Sequence, residues 1–315
     1  MTSINSYKKN ISDLWNHYNY VKKYDNYKYT SKDGITYYLE GRRNIVIKYL
    51  KNISNKKKLN MLELGFGAGQ NTQHFMKFCK KFYGIEISSH QVDFAKKRNK
   101  SAVSKGKARF MVGSMEKKFK IKSNSMDAIV IVGALQYVMD LKKCFNECSR
   151  VLKKNGHLII AQTNTFSINE MITLRKFIVG ISRIILKEEF QYSHSTTIKS
   201  ILLETKLKKF FNKYKNSWWM NSWIISSGFK DVWKFKVKRR LFSYNRLKKI
   251  IKNNNFEISS SCGYPFFYDN KNIFSKIIFS SIDFLLVNLN KLTIFSYFLR
   301  HIGSSTMFLC KKKNR

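Results

Sequence analysis

Apolar residues fall along this chain in short blocks whose period switches between that of a strand and that of a helix. Leu59 to Leu64 is a nearly unbroken apolar run of strand length. The next segment, Gln70 to Lys81, carries Phe75, Met76, Phe78 and Cys79 at helical spacing. The alternation then repeats. Lys81 to Ile87 reads as a second strand, Ala108 to Met115 as a third with its loop, and Ser125 to Val138 contains a fourth. Leu141 to Leu152 reads as a helix, and an Asn155-Gly156 turn within Lys153 to Ala161 opens a fifth strand. Strands alternating with helices predict βαβ units and a buried, largely parallel sheet over residues 59–164.

Three segments depart from that rhythm. Residues 1–58 are aromatic and helical in pattern, with Trp15, Tyr18, Tyr20, Tyr24 and Tyr27 followed by a helix from Tyr37 to Leu50, and they predict an N-terminal helical cap. Residues 165–240 interrupt the series after the fifth strand. Insertions at that edge of a doubly wound sheet lie beside the ligand crevice, which makes this one a candidate substrate lid. Its stretch from Leu207 to Trp223 interleaves Phe210, Phe211, Tyr214, Trp218, Trp219 and Trp223 with lysines. That pattern fits a pocket wall, an interfacial membrane anchor or a base-stacking surface. Residues 241–315 predict a return to the core: a helix from Tyr244 to Ile251, a left-handed Asn255 and a following strand. A long apolar stretch, Phe274 to Arg300, places Phe274, Ile278, Ile282, Leu285, Leu289 and Leu292 on one helical stripe. Asp283, Asn288, Asn290 and Lys291 interrupt it, so it falls short of the roughly 20 apolar residues that span a bilayer. It reads as a core-covering or lid helix, with peripheral contact to a membrane or an isoprenoid-like substrate as the other reading.

The chemistry concentrates where the first strand ends. Met61-Leu62-Glu63-Leu64-Gly65-Phe66-Gly67-Ala68-Gly69-Gln70 runs from a strand into three glycines at alternate positions, two residues after an acid. Glycine takes positive φ and has no Cβ, so a ligand can lie against bare backbone there. Asn71 or Thr72 is placed to cap the next helix and aim its free N–H groups at that ligand. Glu86, at the tip of the second strand, is placed to accept both hydroxyls of a ribose. The loop is E-x-G-x-G-x-G rather than the G-x-G-x-x-G of dinucleotide sites.

With the three further segments at Ala108 to Met115, Ser125 to Val138 and Lys153 to Ala161, the chain resembles the class I S-adenosylmethionine-dependent methyltransferases. The likeness is nearest to the broad small-molecule group called type 11, and it covers Leu59 to about Asn164 continuously. The resemblance implies a Rossmann-like, doubly wound α/β sheet of seven strands, the last (Ser304 to Leu309) antiparallel, with helical caps. It implies that Glu63, Gly65, Gly67 and Gly69 surround the amino-acid end of S-adenosylmethionine, that Glu86 holds the ribose and that Ile87 packs on the adenine. Ser114, beside Met115, stands where the family often has an acid facing the adenine amino group. Gly133 and Leu135 would line the methionine moiety and the methyl-transfer channel, while Asp127, at the start of the fourth strand, reads as structural. No general base is identified, although Gln136 and Tyr137 sit nearest the expected chemistry; His17, His157 and His194 read as structural.

Composition narrows the partners. The 60 Lys+Arg against 19 Asp+Glu give a formal charge of +41, which ordinarily points to a polyanion. The excess, however, is 48 lysines to 12 arginines scattered over every segment, in a chain with one proline. That is the pattern of a solvated surface in an AT-rich coding sequence, and base readout favours clustered arginine. The base-amino methylase motif is absent after the fourth strand, where Val132-Gly133-Ala134-Leu135 stands, and Pro265 precedes Phe266 rather than a cysteine nucleophile. The expectation is therefore methyl transfer to a small-molecule, glycan or lipid-like acceptor. The alternatives are RNA ribose or ring-nitrogen methylation, and a non-catalytic cofactor-binding protein of the same fold. Five cysteines without a C-x-x-C pair predict no metal site and a reducing compartment, and the first residues lack a signal-peptide core, which predicts a cytoplasmic protein.

Overall fold

The computed structural model describes residues 11–13, 15–16, 35–55, 57–164, 190–192, 238–240, 242–266, 281–282, 285–286, 288 and 293–313. Helix α1 (Ile35–Ser54) leads into strand β1 (Leu59–Leu64), a four-residue α2 (Thr72–Phe75) with a 3-10 turn (Met76–Phe78), and β2 (Cys79–Glu86). Then come α3 (Ser89–Arg98), α4 (Lys100–Ser104), β3 (Ala108–Val112), β4 (Met126–Val132) and a 3-10 turn (Leu135–Tyr137). Helix α5 (Leu141–Val151) precedes β5 (Leu152–Thr163). The short β6 (Phe190–Tyr192) and β7 (Lys238–Arg240) pair with each other, and α6 (Tyr244–Asn253), β8 (Phe256–Gly263), α7 (Thr293–Ile302) and β9 (Ser305–Lys312) complete the chain.

The main sheet has seven strands in the order β3-β2-β1-β4-β5-β9-β8. Strands β3 to β5 are mutually parallel, whereas β9 runs antiparallel to both β5 and β8. This is the doubly wound, Rossmann-like sheet with an antiparallel last strand expected from the sequence. Strand order reverses between β1 and β4, so their carboxyl ends diverge and leave a crevice.

Covering helices on both faces explain the apolar runs. Along β4, Ile129 and Ile131 join the cluster under α5 and α6, while Ala128 and Val130 join the one under α1 and α3. All four are within 1% of full burial, and each Ile contributes about 1.5–3 kcal/mol relative to exposure. Asp127, expected to be structural, ties three strand starts together: its carboxylate accepts from Asn60 N at 2.7 Å and pairs with Lys153 at 2.7 Å. Asn255 is left-handed, with φ of 65°.

Some expectations are corrected. The helix foreseen over Gln70 to Lys81 is broken, because β2 begins at Cys79 to pair with Leu59 and so consumes the last helical turn. Neither Asn71 nor Thr72 caps it through a side chain: Asn71 is itself αR without a side-chain bond, and Thr72 Oγ1 donates to Glu63 instead. On the apolar C-terminal stripe, Ile282 and Leu285 are 37% and 58% exposed, whereas Leu286, one residue on, packs beside Phe266, Leu299 and Ile302. Burial thus follows a neighbouring face of that segment. The stretch from Leu207 to Trp223, with Phe274, Ile278, Leu289, Leu292, Tyr24, His17 and His194, lies outside the described residues. No helix among the described residues is long and apolar enough to cross a membrane.

The foot of the insertion is closed. Asn164 forms a parallel bridge with Phe242, and the Arg240 guanidinium donates to Met139 O at 3.1 Å. Asn164, Arg240 and Phe242, at the two ends of the insertion, thus lie together beside the loop that follows β4.

Candidate active site

A cleft of about 1220 Å³, its open mouth included, lies over the carboxyl ends of β1, β2 and β4. Its floor is the glycine loop. Gly65 has φ of 69°, and a Cβ there would stand 2.2 Å from Ala134 Cβ, so only glycine lets the loop after β4 pass this close. Gly67 has φ of 59° and faces Gln91, whose Oε1 would be 2.9 Å from an added Cβ.

Two buried carboxylates flank this floor. Glu86 Oε2 accepts from Gly67 N at 3.0 Å, and its Oε1 accepts from Ile87 N at 2.8 Å and Ser88 N at 3.2 Å. These bonds fix the carboxylate at the strand tip, in the wall of the cleft. Glu63 is 2% exposed and accepts a 2.6 Å bond from Thr72 Oγ1. Burial pushes its carboxyl up to about 7, opposed by the Thr72 bond and aided by the charge of Glu86.

Of the residues singled out from the sequence, Glu63, Gly65, Gly67, Glu86, Ile87, Ser114, Met115, Gly133, Gln136 and Tyr137 line the cleft. Two do not. Gly69 packs against α3, where a Cβ would meet Ala95 Cβ at 3.0 Å, and Leu135 is fully buried in the core beneath α5. Leu135 opens the 3-10 turn, whose three-residue period points it into the core while Gln136 and Tyr137 stay on the cleft. Ser114 Oγ accepts from Glu116 N at 3.2 Å. The acid absent at position 114 occurs two residues later as Glu116, which also lines the cleft, although its Oε1 accepts from Met139 N and Asp140 N. The Gln136 amide is engaged at both ends, by Gly133 O at 3.1 Å and by Gln162 Nε2 at 3.2 Å, so it acts as a positioned wall. His157 lies midway along β5 and does not line the cleft; it is paired in register with Lys311, and burial and that lysine lower its basicity.

The cap contributes more than the sequence foretold. Ile11 and Trp15 line the cleft, with the Trp15 indole edge-on to Tyr137 at 5.8 Å. Ser88 Oγ donates to Trp15 O at 2.6 Å, and Asn16 Oδ1 gathers Ser88 Oγ at 3.0 Å and Ser89 Oγ at 3.2 Å, while His90 Nδ1 bonds Asn16 O. The N-terminal turn is thereby latched to the start of α3, across the mouth from Tyr137. Arg42 and Gln91 were also missed. Arg42 carried a signal: it sits four residues from Tyr38 and from Val46, on the stripe by which α1 buries itself.

Residues 62–160 match the family described as a methyltransferase domain. This stretch belongs to the class I S-adenosylmethionine-dependent methyltransferases. S-adenosylmethionine is accordingly the cofactor of the methyltransferase domain, and the cleft fits it: a bare glycine floor, an acid at the tip of β2 and a second acid beside the loop. An uncharacterized methyltransferase of Schizosaccharomyces pombe is 31% identical over 123 residues, 36% of this chain and 42% of that protein. A ubiquinone biosynthesis O-methyltransferase of Pelagibacter ubique is 26% identical over 145 residues, 44% and 55% of the two chains. The matched part of this chain spans less than half of the first relative and just over half of the second. Among solved structures, the magnesium protoporphyrin IX methyltransferase of Synechocystis, with bound SAH, superposes with a TM-score of 0.54 over 97% of this chain and 99% of that one. At 12% identity, that match speaks to the fold.

Proposed function

We propose that the protein transfers a methyl group from S-adenosylmethionine to the oxygen or nitrogen of a small-molecule, glycan or lipid-like acceptor. The observation that carries the reading is the pairing of the open glycine floor with the fixed Glu86 carboxylate, since together they offer a nucleoside both backbone contact and a hydroxyl acceptor. S-adenosylmethionine, when bound, supplies an electrophilic methyl carbon on its sulfonium. The chain then has to hold the ligand, align an acceptor and exclude water, and alignment of this kind is worth about 7–11 kcal/mol of barrier. Trp15, Ile11 and Tyr137 form the apolar rim that keeps water out. A carbonyl and an amide already hold Gln136, so it shapes the acceptor side rather than moving a proton. The O-methyltransferase named among the relatives supports an oxygen acceptor, and the closed foot of the 165–240 insertion beside Met139 supports its role as the segment that selects the acceptor.

Calorimetric titration with S-adenosylmethionine, with NADH as control, tests the cofactor. Micromolar binding of the first and none of the second is expected. Gly67→Val, checked for folding by its melting temperature, should abolish that binding, because the side chain would enter the ligand's path at a left-handed φ. Unchanged affinity in the folded variant defeats the assignment.

A further inference from the structure

Four large apolar side chains are exposed among the described residues: Val112 at 59%, Ile282 at 37%, Leu285 at 58% and Phe298 at 62%. Single exposed apolar residues are ordinary, but three of these four lie in one stretch between β8 and β9. Leu286 packs beside Phe266, Leu299 and Ile302, so its segment and α7 meet through Leu286 and Leu299. Leu285 and Phe298, one residue before each, stay in water. Helix α7 lies against the end of β8, where a Cβ at Gly263 would stand 2.5 Å from Leu299 O. Its last turn is tied to the carboxyl end of β5, because Asn164 Nδ2 donates to His301 O at 2.7 Å and to Gly303 O at 2.9 Å. The cleft opens at this same end of the sheet. A basic helix adjoins the patch: α6 carries Arg246, Lys248, Lys249 and Lys252 and no acid. Its Tyr244 ring meets the His301 ring of α7 at 4.8 Å, and Asn245 Oδ1 bonds His301 Nε2 at 3.2 Å. Helix α7 also lacks acids and carries Arg300 and His301 in its last turn.

We propose that Ile282, Leu285 and Phe298, with the basic side chains of α6, form an interfacial anchor that seats the cleft end of the protein on an anionic membrane surface. Apolar side chains beside lysines suit the boundary of such a bilayer, where the first enter the acyl region and the ammonium groups stay among the headgroups. Two other occupants fit less well. A second copy would bring a like charge of +41 against this one, and three side chains fall far short of the roughly 20–30 residues a side of a stable interface. Single-stranded nucleic acid is held by stacking on rings, and two of the three side chains are aliphatic. The contact is peripheral, since no described helix is long and apolar enough to cross a bilayer. It brings the cleft to the side from which a lipid-like acceptor would come. That last consequence rests on the proposed function, whereas the anchor itself does not.

The full chain is co-sedimented at physiological salt with vesicles of phosphatidylcholine alone and of an equal mixture with phosphatidylglycerol. Wild type should bind the mixed vesicles and leave the neutral ones largely free. The double variant Leu285→Ser, Phe298→Ser should bind the mixed vesicles at least tenfold more weakly, and Lys248→Gln with Lys249→Gln should lower both the affinity and its salt dependence. Val112→Ser, at the tip of β3 on the opposite edge of the sheet, is the control and should bind as wild type does. Wild type that ignores the mixed vesicles overturns the anchor. So does a double variant that binds them unchanged, since charge alone then suffices, and so does an equal loss in Val112→Ser. A dimer in sedimentation velocity that the double variant dissolves assigns the face to a second copy, and a loss of single-stranded RNA binding with vesicle binding intact assigns it to nucleic acid; either outcome overturns the proposal. All substituted side chains are partly or largely exposed, so melting temperatures should stay within about 2 °C of wild type. If the double variant melts lower, Phe298→Ser alone is used and should still weaken binding several-fold. Affinity for S-adenosylmethionine, measured on the same samples, should not change. Vesicle binding by a wild type that ignores S-adenosylmethionine would keep the anchor and defeat the cofactor reading instead.

Discussion

Glu63 shows how one buried side chain couples ligand binding to stability. Its carboxyl is pushed up to about 7 chiefly by burial, so between the ordinary carboxylate range and pH 7 the folded protein holds a proton that the unfolded chain has released. Stability from this group is therefore fully present at low pH and is lost as pH rises through about 7. A cation held by Glu63 would favour the ionised form, so affinity should run the opposite way. We expect S-adenosylmethionine to bind more tightly at pH 8 than at pH 6. Glu63→Gln, which keeps the acceptor for Thr72, should flatten that pH dependence, weaken binding about tenfold and raise stability at pH 8 by the order of 1–2 kcal/mol. Calorimetry and thermal melting at the two pH values check both halves; an unaltered pH profile in the variant would show that Glu63 does not meet the cation.

At the scale of elements, two fasteners hold the loops around the cleft. Arg150, near the end of α5, donates to Phe119 O at 3.2 Å and Ile121 O at 3.1 Å and pairs with Glu147 at 2.8 Å, while Glu147 accepts from Phe119 N at 2.9 Å. This clasp anchors the connection from Ser114 and Glu116 to β4. Arg150→Ala removes several charge-assisted bonds at once and should cost about 2 kcal/mol in urea unfolding. The Glu147 carboxyl is held below the usual range, first by its bond from Arg150. Its contribution is therefore present at neutral pH and lost as pH falls through its folded value, so the variant should show a smaller acid-induced loss than wild type. The second fastener is Asn16. Asn16→Ala removes the side-chain half of the latch to α3, leaving the main-chain bonds at Trp15 O and Asn16 O and not touching the sheet, so the melting temperature should move by no more than about 2 °C while the cofactor dissociates several-fold faster in stopped flow. An unchanged off-rate would separate the turn from closure of the cleft.

Across the whole molecule, charge and topology give different messages. A formal charge of +41 invites nucleic acid, yet the lysines are spread over all segments, and the cleft itself is lined by Glu63, Glu86 and Glu116 against Arg42. An acidic cleft repels a phosphate backbone at the point where chemistry would occur. We expect generic RNA to bind weakly at physiological salt with a steep salt dependence, as measured by fluorescence anisotropy; sub-micromolar, sequence-selective binding would reverse that view.

The element series was legible in the chain because strands covered on both faces must be apolar throughout, and the glycine loop and Glu86 were legible because only glycine accepts the backbone of Gly65 and Gly67. Local pattern, carried by the chain itself, determined the βαβ order, the site of the turn and the acid at the tip of β2. Tertiary structure decided the rest. The length of β2 was set by pairing with β1, which took Cys79 from the helix. Leu135 was turned from the cleft by the period of its 3-10 turn, and Gly69 packed against α3. Arg42 became a site residue because Tyr38, Thr163 and Ser305, 125 to 267 residues apart in separation from Tyr38, converge beneath it. Periodicity reports which face of an element is buried, but burial against core and burial against a ligand look alike until the elements are brought together in space.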